Sequence, residues 1–321
     1  MRTIGSLLLA AGRGERLRPL TDVVPKPALP LLDAPLGAWG LADLASAAPP
    51  VVVNVSHLAS LVVDALAPYA PPGEVESLLE PSPLGTAGTL RALRDRIGDR
   101  IVTRNADLLA GKHAAELLEA HRSAGVEATA LVARVERGAD FELTRGRVTR
   151  FIDRRLKPAA RGARFMGMAV FEGASSMLIP DDGPQGLGET VLRVLADRGE
   201  LAAHESEGYM RDIGTPANYL AASLDCLTGR ARPPPGGWPG DIIEIRGGRA
   251  YVGPGASVRT ADLRPGAVIL RGASVAPGSE VANSIVLPKE SVGPGKMLDS
   301  AIWVRGEAIQ VPREATCRPK R

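Results

Sequence analysis

The stretch Leu9-Ala10-Ala11-Gly12-Arg13-Gly14-Glu15-Arg16-Leu17-Arg18-Pro19-Leu20-Thr21, followed by Pro25-Lys26-Pro27-Ala28-Leu29-Pro30, decides how this chain is read. An apolar run from Ile4 to Ala11 leads into a glycine-rich turn and then into basic residues. The run has the pattern of a buried strand. Glycines accept φ > 0 and let backbone N–H groups approach phosphate oxygens closely. Arg16 and Lys26 add mobile positive charge for a polyphosphate. Two common phosphate loops do not fit. A P-loop ends in Gly-Lys-Ser/Thr, whereas Gly14 is followed by Glu15-Arg16. The dinucleotide fingerprint needs a third glycine three residues after Gly14, where Leu17 stands.

Outward from this motif, short apolar runs alternate with helical patterns. Residues 51–55 read as a second strand, rich in β-branched side chains. A third starts at 101–103 and leads into Asn105-Ala106-Asp107, and 128–135 and 166–171 read as further strands. Residues 58–66, 86–97 and 189–198 carry helical patterns. The alternation predicts βαβ units and a parallel sheet. Residues 229–240 hold the run Pro233-Pro234-Pro235 among glycines, which continues neither a helix nor a central strand. Beyond this boundary Val252, Val258, Leu263, Ile269, Val275 and Val281 recur every six residues, with one five-residue step. Val292 and Leu298 resume the period. Period six predicts a parallel β-helix of hexapeptides, each aliphatic residue pointing into a stacked core.

The segment from Leu9 to Pro30 resembles the signature of the sugar nucleotidyltransferases, the nucleoside-diphosphate-sugar pyrophosphorylases. Three further segments are similar to that family. Pro83-Leu84-Gly85-Thr86-Ala87-Gly88 resembles its base-contacting loop, Asn105-Ala106-Asp107 its first metal segment, and Tyr209–Pro216 its second. The resemblance covers about residues 1–225. It implies a Rossmann-like, GT-A-like mixed α/β sheet followed by a left-handed parallel β-helix. The expected domains are residues 1–228 for catalysis, 229–240 as linker and 241–321 as β-helix.

The implied reaction is in-line attack by a sugar 1-phosphate oxygen on the α-phosphorus of a nucleoside triphosphate, with pyrophosphate leaving. Such chemistry needs positioning and charge neutralisation more than covalent help. By resemblance, Arg16 holds the triphosphate and its leaving group, and Lys26 steadies the sugar phosphate. Ala10, Ala11, Gly12, Gly14, Gly85, Thr86 and Gly88 contact the nucleotide. Asp107 and Asp212 hold Mg²⁺, a hard cation suited to carboxylate and phosphate oxygens. Asn105, Lys157 and Glu189 are the candidates on the sugar-phosphate side. The family's Glu-Lys-Pro and Asn-Ala-Gly segments are replaced by Leu156-Lys157-Pro158 and Phe165-Met166-Gly167, which leaves the sugar open. Glu80, Asn54 and Ser56 read equally as substrate contacts or as structural polar residues; for Glu80 the alternative is an ordinary surface carboxylate.

The loop Gly85–Gly88 is most similar to guanylyltransferases acting on mannose 1-phosphate, and uridylyl and thymidylyl members use similar loops. A catalytically silent nucleotide-sugar sensor is the competing class, but such proteins lose the Arg, Lys or carboxylates retained here. An acyltransferase is disfavoured because no His follows His204.

Bulk composition agrees with an enzyme of this kind. The 321 residues are 45% hydrophobic and 23% charged, which excludes a disordered chain. The net charge of +3 is spread along the chain, against a nucleic-acid partner. The apolar start is too short for a signal peptide and runs straight into Arg13, and no stretch has the ~18 apolar residues of a membrane span. Cys226 and Cys317 are far apart; one disulfide stays open, and a reducing cytoplasm is expected. The four histidines show no metal-ligand spacing, and Lys320-Arg321 reads as a solvated tail. Every catalytic candidate precedes the linker, so the β-helix is expected to serve homo-oligomer assembly rather than chemistry.

Overall fold

The computed structural model describes residues 2–153, 156–181, 183–258 and 262–312. Cys317, Lys320 and Arg321 lie outside them; Cys226 is a buried thiol whose pKa burial pushes up. The chain forms two compact units, each discontinuous in sequence: Met1–Gly12 with Trp39–Met210, and Arg13–Ala38 with Arg211–Arg321.

In the first unit, nine strands pair into one sheet among the described residues. They are β1 (Ile4–Leu9), β2 (Val51–Val55), β3 (Val75–Leu79), β4 (Ile97–Asn105), β5 (Ala128–Val135), β6 (Phe141–Thr144), β7 (Arg147–Phe151), β8 (Gly162–Glu172) and β9 (Leu201–Glu205). Their spatial order is β3-β2-β1-β4-β8-β5-β9-β7-β6. Strands β3, β2, β1 and β4 are mutually parallel, as the βαβ reading predicts. Strand β8 then runs antiparallel to both β4 and β5, which makes the sheet mixed.

Helices α1 (Gly37–Ala47), α2 (Ala59–Leu66), α3 (Gly85–Ala92), α4 (Ala114–Ala124) and α5 (Arg193–Asp197) lie between the strands in sequence. Adjacent strand residues feed two different cores. Val52, Leu7 and Ile101 enter one cluster, and Val51, Val53, Leu8 and Val102 enter the other. Burial of both faces explains why these strands are continuous apolar runs rather than alternating ones. The helical pattern at 86–97 stops at Ala92; a short 3₁₀ turn, Arg94–Arg96, intervenes and β4 begins at Ile97. The one at 189–198 is split into a π-helical turn, Gly188–Leu192, and α5.

The second unit contains α6 (Pro216–Leu227) and a stack of short strands after the Pro/Gly segment. Thr215 caps α6: its hydroxyl accepts the Asn218 N–H at 3.2 Å, with Pro216 in the first turn. Parallel pairings run Tyr251↔Val268↔Ile285↔Ile302, and two further parallel ladders join Asp262, Glu280 and Met297, and Ser274 and Ser291. The register advances by 17 residues from Ser274 to Ser291, about three hexapeptides. Ile269, Val275, Val281, Val292 and Leu298 are buried together, and Val286 fills the gap in their frame. Antiparallel hairpins, Asp241–Ile245 with Gly248–Val252 and Ala301–Val304 with Glu307–Gln310, stand at the two ends of the largest ladder. Among the described residues no helix is long and apolar enough to cross a membrane.

Candidate functional site

The order β3-β2-β1-β4 places a switch point between β1 and β4, where the connections leave in opposite directions. In open α/β sheets, ligands bind outside the carboxyl ends of the strands at such a point. The first unit brings its candidates there. Leu9 pairs with Asn54 on one side and Asn105 on the other, so Ala10, Asn54 and Asn105 emerge side by side. The Ala106 N–H donates to the Leu9 carbonyl at 3.0 Å, which keeps the Asn105–Asp107 turn against β1. Asn105 packs on Gly167, whose φ of 75° and lack of a Cβ are both required: a Cβ there would come within 2.7 Å of Asn105 Nδ2.

Asp107 follows β4 and is half-buried. It does not cap a helix; the carboxylate at the start of α4 is Asp43, which accepts the N–H groups of His113 and Ala114 at 3.1 Å each. Arg104, fully buried, forms an ion pair with Asp43. Its guanidinium also donates to the carbonyls of Leu108, Ala110 and Gly111 at 3.4, 3.2 and 3.2 Å, just beyond Asp107. Burial lowers the Arg104 pKa and Asp43 opposes the shift. Sequence reasoning passed over Arg104: β4 also carries Asp99 and Arg100, and nothing local marks Arg104 as the buried charge.

Glu80, Asn54 and Thr89 form a buried polar network under the end of β1. Asn54 Oδ1 accepts the Ala10 N–H at 2.6 Å. Asn54 Nδ2 donates to Glu80 Oε1 and to Thr89 Oγ1, each at 2.9 Å. The Thr89 hydroxyl donates to Glu80 Oε1 at 2.6 Å, and the Leu84 N–H to Glu80 Oε2 at 3.0 Å. Glu80 is 2% exposed, which corrects its reading as a surface carboxylate. A buried carboxylate is tolerated because every facing group donates to it.

The same network fixes the glycine-rich loop that opens α3. Gly85 has φ 77°, and a side chain there would strike the Gln185 carbonyl. The Ala87 N–H donates to that carbonyl at 2.9 Å, the Gln185 N–H to the Leu84 carbonyl at 3.0 Å, and the Leu187 N–H to Thr86 Oγ1 at 2.8 Å. The structure thus brings Gly85, Thr86 and Gly88 together with the 185–189 segment, where Glu189 stands exposed on the π-helical turn with its carboxylate against Gly186. Lys157 is exposed in a separate turn, its N–H donating to the Asp153 carbonyl at 2.9 Å.

The second unit gathers the basic half of the motif. Gly14 (φ 65°) backs onto Thr21 and Lys26; a Cβ there would lie 2.9 Å from Thr21 Cγ2 and 3.3 Å from Lys26 Cβ. The Thr21 hydroxyl donates to the Gly14 carbonyl at 2.9 Å. Lys26 opens a 3₁₀ turn and is half-buried. Arg16 lays its guanidinium over Gly214, 3.0 Å from where a Cβ would stand. Gly214 lies two residues beyond Asp212, which is exposed and whose carbonyl accepts Asn218 Nδ2 at 3.0 Å.

Each unit therefore presents one of the two metal-candidate carboxylates. Among the described residues no cluster of three or more His, Cys, Asp or Glu could hold a metal by itself. Hard oxygen donors supplied singly suit Mg²⁺, which keeps several waters and is held by one or two carboxylates together with phosphates.

Residues 5–229 match the nucleotidyl transferase family. Mannose-1-phosphate guanylyltransferase of Mycobacterium tuberculosis is 28% identical over 293 residues, covering 88% of this chain and 79% of the relative. A putative mannose-1-phosphate guanyltransferase of Sulfolobus acidocaldarius is 25% identical over 88% of this chain and 76% of its own length. A putative glucose-1-phosphate thymidylyltransferase from Bacillus anthracis, crystallised with sucrose, matches in fold with a TM-score of 0.59 at 19% identity. It covers 68% of this chain and 93% of that one.

Proposed function

This chain belongs to the nucleotidyl transferase family, and from that premise we propose that it joins GTP to mannose 1-phosphate, releasing pyrophosphate. The observation that carries the reading is the loop Gly85–Gly88. It is held at the carboxyl edge of the parallel strands, with the start of α3 directed by Glu80 and Gln185. Backbone amides in such a turn can read donor and acceptor positions on a base edge. Two relatives named as acting on mannose 1-phosphate, each matched over 88% of the chain, favour guanine and mannose.

In this reading a mannose 1-phosphate oxygen attacks the α-phosphorus in line, the new P–O bond forms, and the bond to pyrophosphate breaks. Arg16 neutralises the departing pyrophosphate, and Lys26 holds the attacking phosphate. Ala10, Ala11, Gly12, Gly14, Gly85, Thr86 and Gly88 seat the nucleotide, and Asn105, Lys157 and Glu189 face the sugar phosphate. Asp107 and Asp212 would hold Mg²⁺, which supplies charge neutralisation between phosphates when bound. The catalytic domain spans 1–228 and the linker 229–240, and the described residues beyond it, 241–258 and 262–312, form a left-handed parallel β-helix through which copies of the chain assemble in the cytoplasm. Pyrophosphate release from GTP and mannose 1-phosphate, dependent on Mg²⁺, tests the reading. No release, alongside tight binding of a finished nucleotide sugar, would replace it with a silent sensor.

A further inference from the structure

The segment carrying Arg16 and Lys26 is tied to the C-terminal strand stack through the side chain of Asp33. Asp33 stands at the tip of the hairpin Pro30–Leu31 with Ala34–Pro35, in the left-handed conformation (φ 63°). Its carboxylate accepts the Tyr251 hydroxyl at 3.0 Å and the Arg271 N–H at 2.9 and 3.1 Å. Gly253 lies so close to Asp33 Oδ2 that no side chain fits there. The hairpin passes this restraint back towards Lys26. The Leu36 N–H donates to the Leu29 carbonyl at 2.9 Å, and the Leu29 N–H to the Lys26 carbonyl at 3.1 Å. Gly14, packed on Lys26, completes the connection.

We propose that the strand stack positions the Gly14–Lys26 loop for nucleotidyl transfer, with Asp33 as the positioning residue, so that the C-terminal region serves turnover as well as assembly. The inference rests on the reading of Arg16 and Lys26 as phosphate-handling groups. A half-buried carboxylate bonded to two distant groups at a hairpin tip, where asparagine or glycine would satisfy the backbone at lower desolvation cost, points to an attachment rather than to a turn requirement.

The test uses the full chain and steady-state pyrophosphate release with Asp33→Ala, Tyr251→Phe, Lys26→Ala and the Asp33→Ala/Lys26→Ala double variant. Asp33→Ala is expected to lower kcat by about tenfold or more with little change in the triphosphate KM, since small misplacements of catalytic groups cost this much. Tyr251→Phe should fall in the same direction by less. Lys26→Ala should lose about 10²-fold in kcat, and adding Asp33→Ala should then cost little more, because both changes act through the same group. Wild-type kcat in folded Asp33→Ala, or full additivity in the double variant, overturns the proposal. If Asp33→Ala does not fold, wild-type kcat in Tyr251→Phe overturns it. Wild-type turnover in Lys26→Ala removes the site reading beneath the proposal and overturns both, an outcome distinct from an inert Asp33 beside an essential Lys26.

Discussion

At the carboxyl edge of the sheet, Ala10, Asn54 and Asn105 are held by strand pairing and by a buried network of Asn54, Glu80 and Thr89. The loop Arg13–Ala38 has almost no ladder of its own. Beyond one two-residue hairpin it is fixed by a hydroxyl on Gly14, by Tyr219, whose hydroxyl donates to the Pro30 carbonyl at 2.6 Å, and by Asp33. The first region is redundantly restrained, and removing one group there exposes unpaired polar atoms. The second has buried leucines, among them Leu17, Leu20 and Leu29, and its polar restraints include attachments more than 180 residues away in sequence. Damage to the first should therefore register as lost stability, and damage to the second as lost turnover in a folded protein.

The largest expected effect cuts across this division. Asp107→Asn and Asp212→Asn, one in each unit, should each abolish turnover while circular dichroism and the melting profile stay close to wild type. Full activity in either folded variant would end the assignment of that carboxylate. Next in size, Thr89→Val leaves Glu80 and Asn54 each short of a partner inside the protein, a cost of roughly 1–3 kcal/mol. Thermal melting should show it, with kcat of the folded enzyme nearly unchanged. A Thr89→Val variant that melts like wild type but turns over slowly would reverse the contrast between the regions.

The smallest effect concerns pH. His121 bonds Thr129 Oγ1 at 2.9 Å and Glu172 Oε1 at 3.0 Å, and burial, the leading cause, lowers its pKa despite Glu172. The folded state thus favours the neutral ring. Its contribution is fully present above the ordinary value of 6.5 and is lost as the pH falls through that value towards the lowered one. Melting temperatures between neutral and mildly acidic pH should fall less steeply in His121→Asn than in wild type; parallel curves would assign the acid sensitivity elsewhere. Burial lowers the His113 pKa in the same way, so some slope should remain in that variant.

Much of this was legible in the residues because regular burial leaves a periodic trace. The strands at 51–55 and 101–103 show as largely apolar runs because both faces are buried, and the six-residue frame from Val258 to Leu298 reflects side chains entering one core at fixed intervals. The motif from Leu9 to Pro30 was legible as a family signature because its glycines and basic residues are chemically marked. The supports were not. Arg104 with Asp43, Glu80 with Asn54, and Asp33 with Tyr251 are pairings between single residues far apart, and no local pattern announces a partner. Residues 166–171 read as a further strand without a direction, because direction is decided by the connection, not by the strand's own residues.

The central claim, an active guanylyltransferase whose Gly85–Gly88 loop chooses the base, is tested most directly by competition. Purified full-length protein receives mannose 1-phosphate, Mg²⁺ and an equimolar mixture of GTP, ATP, UTP and dTTP, and the nucleotide sugars formed are resolved by mass. GDP-mannose should dominate, because a wrong base leaves buried polar groups unpaired at roughly 1–3 kcal/mol each. Dominance of UDP- or dTDP-mannose would contradict the base assignment while leaving the chemistry in place. No nucleotide sugar from any triphosphate, with glucose or N-acetylglucosamine 1-phosphate substituted as well, would contradict the claim entirely.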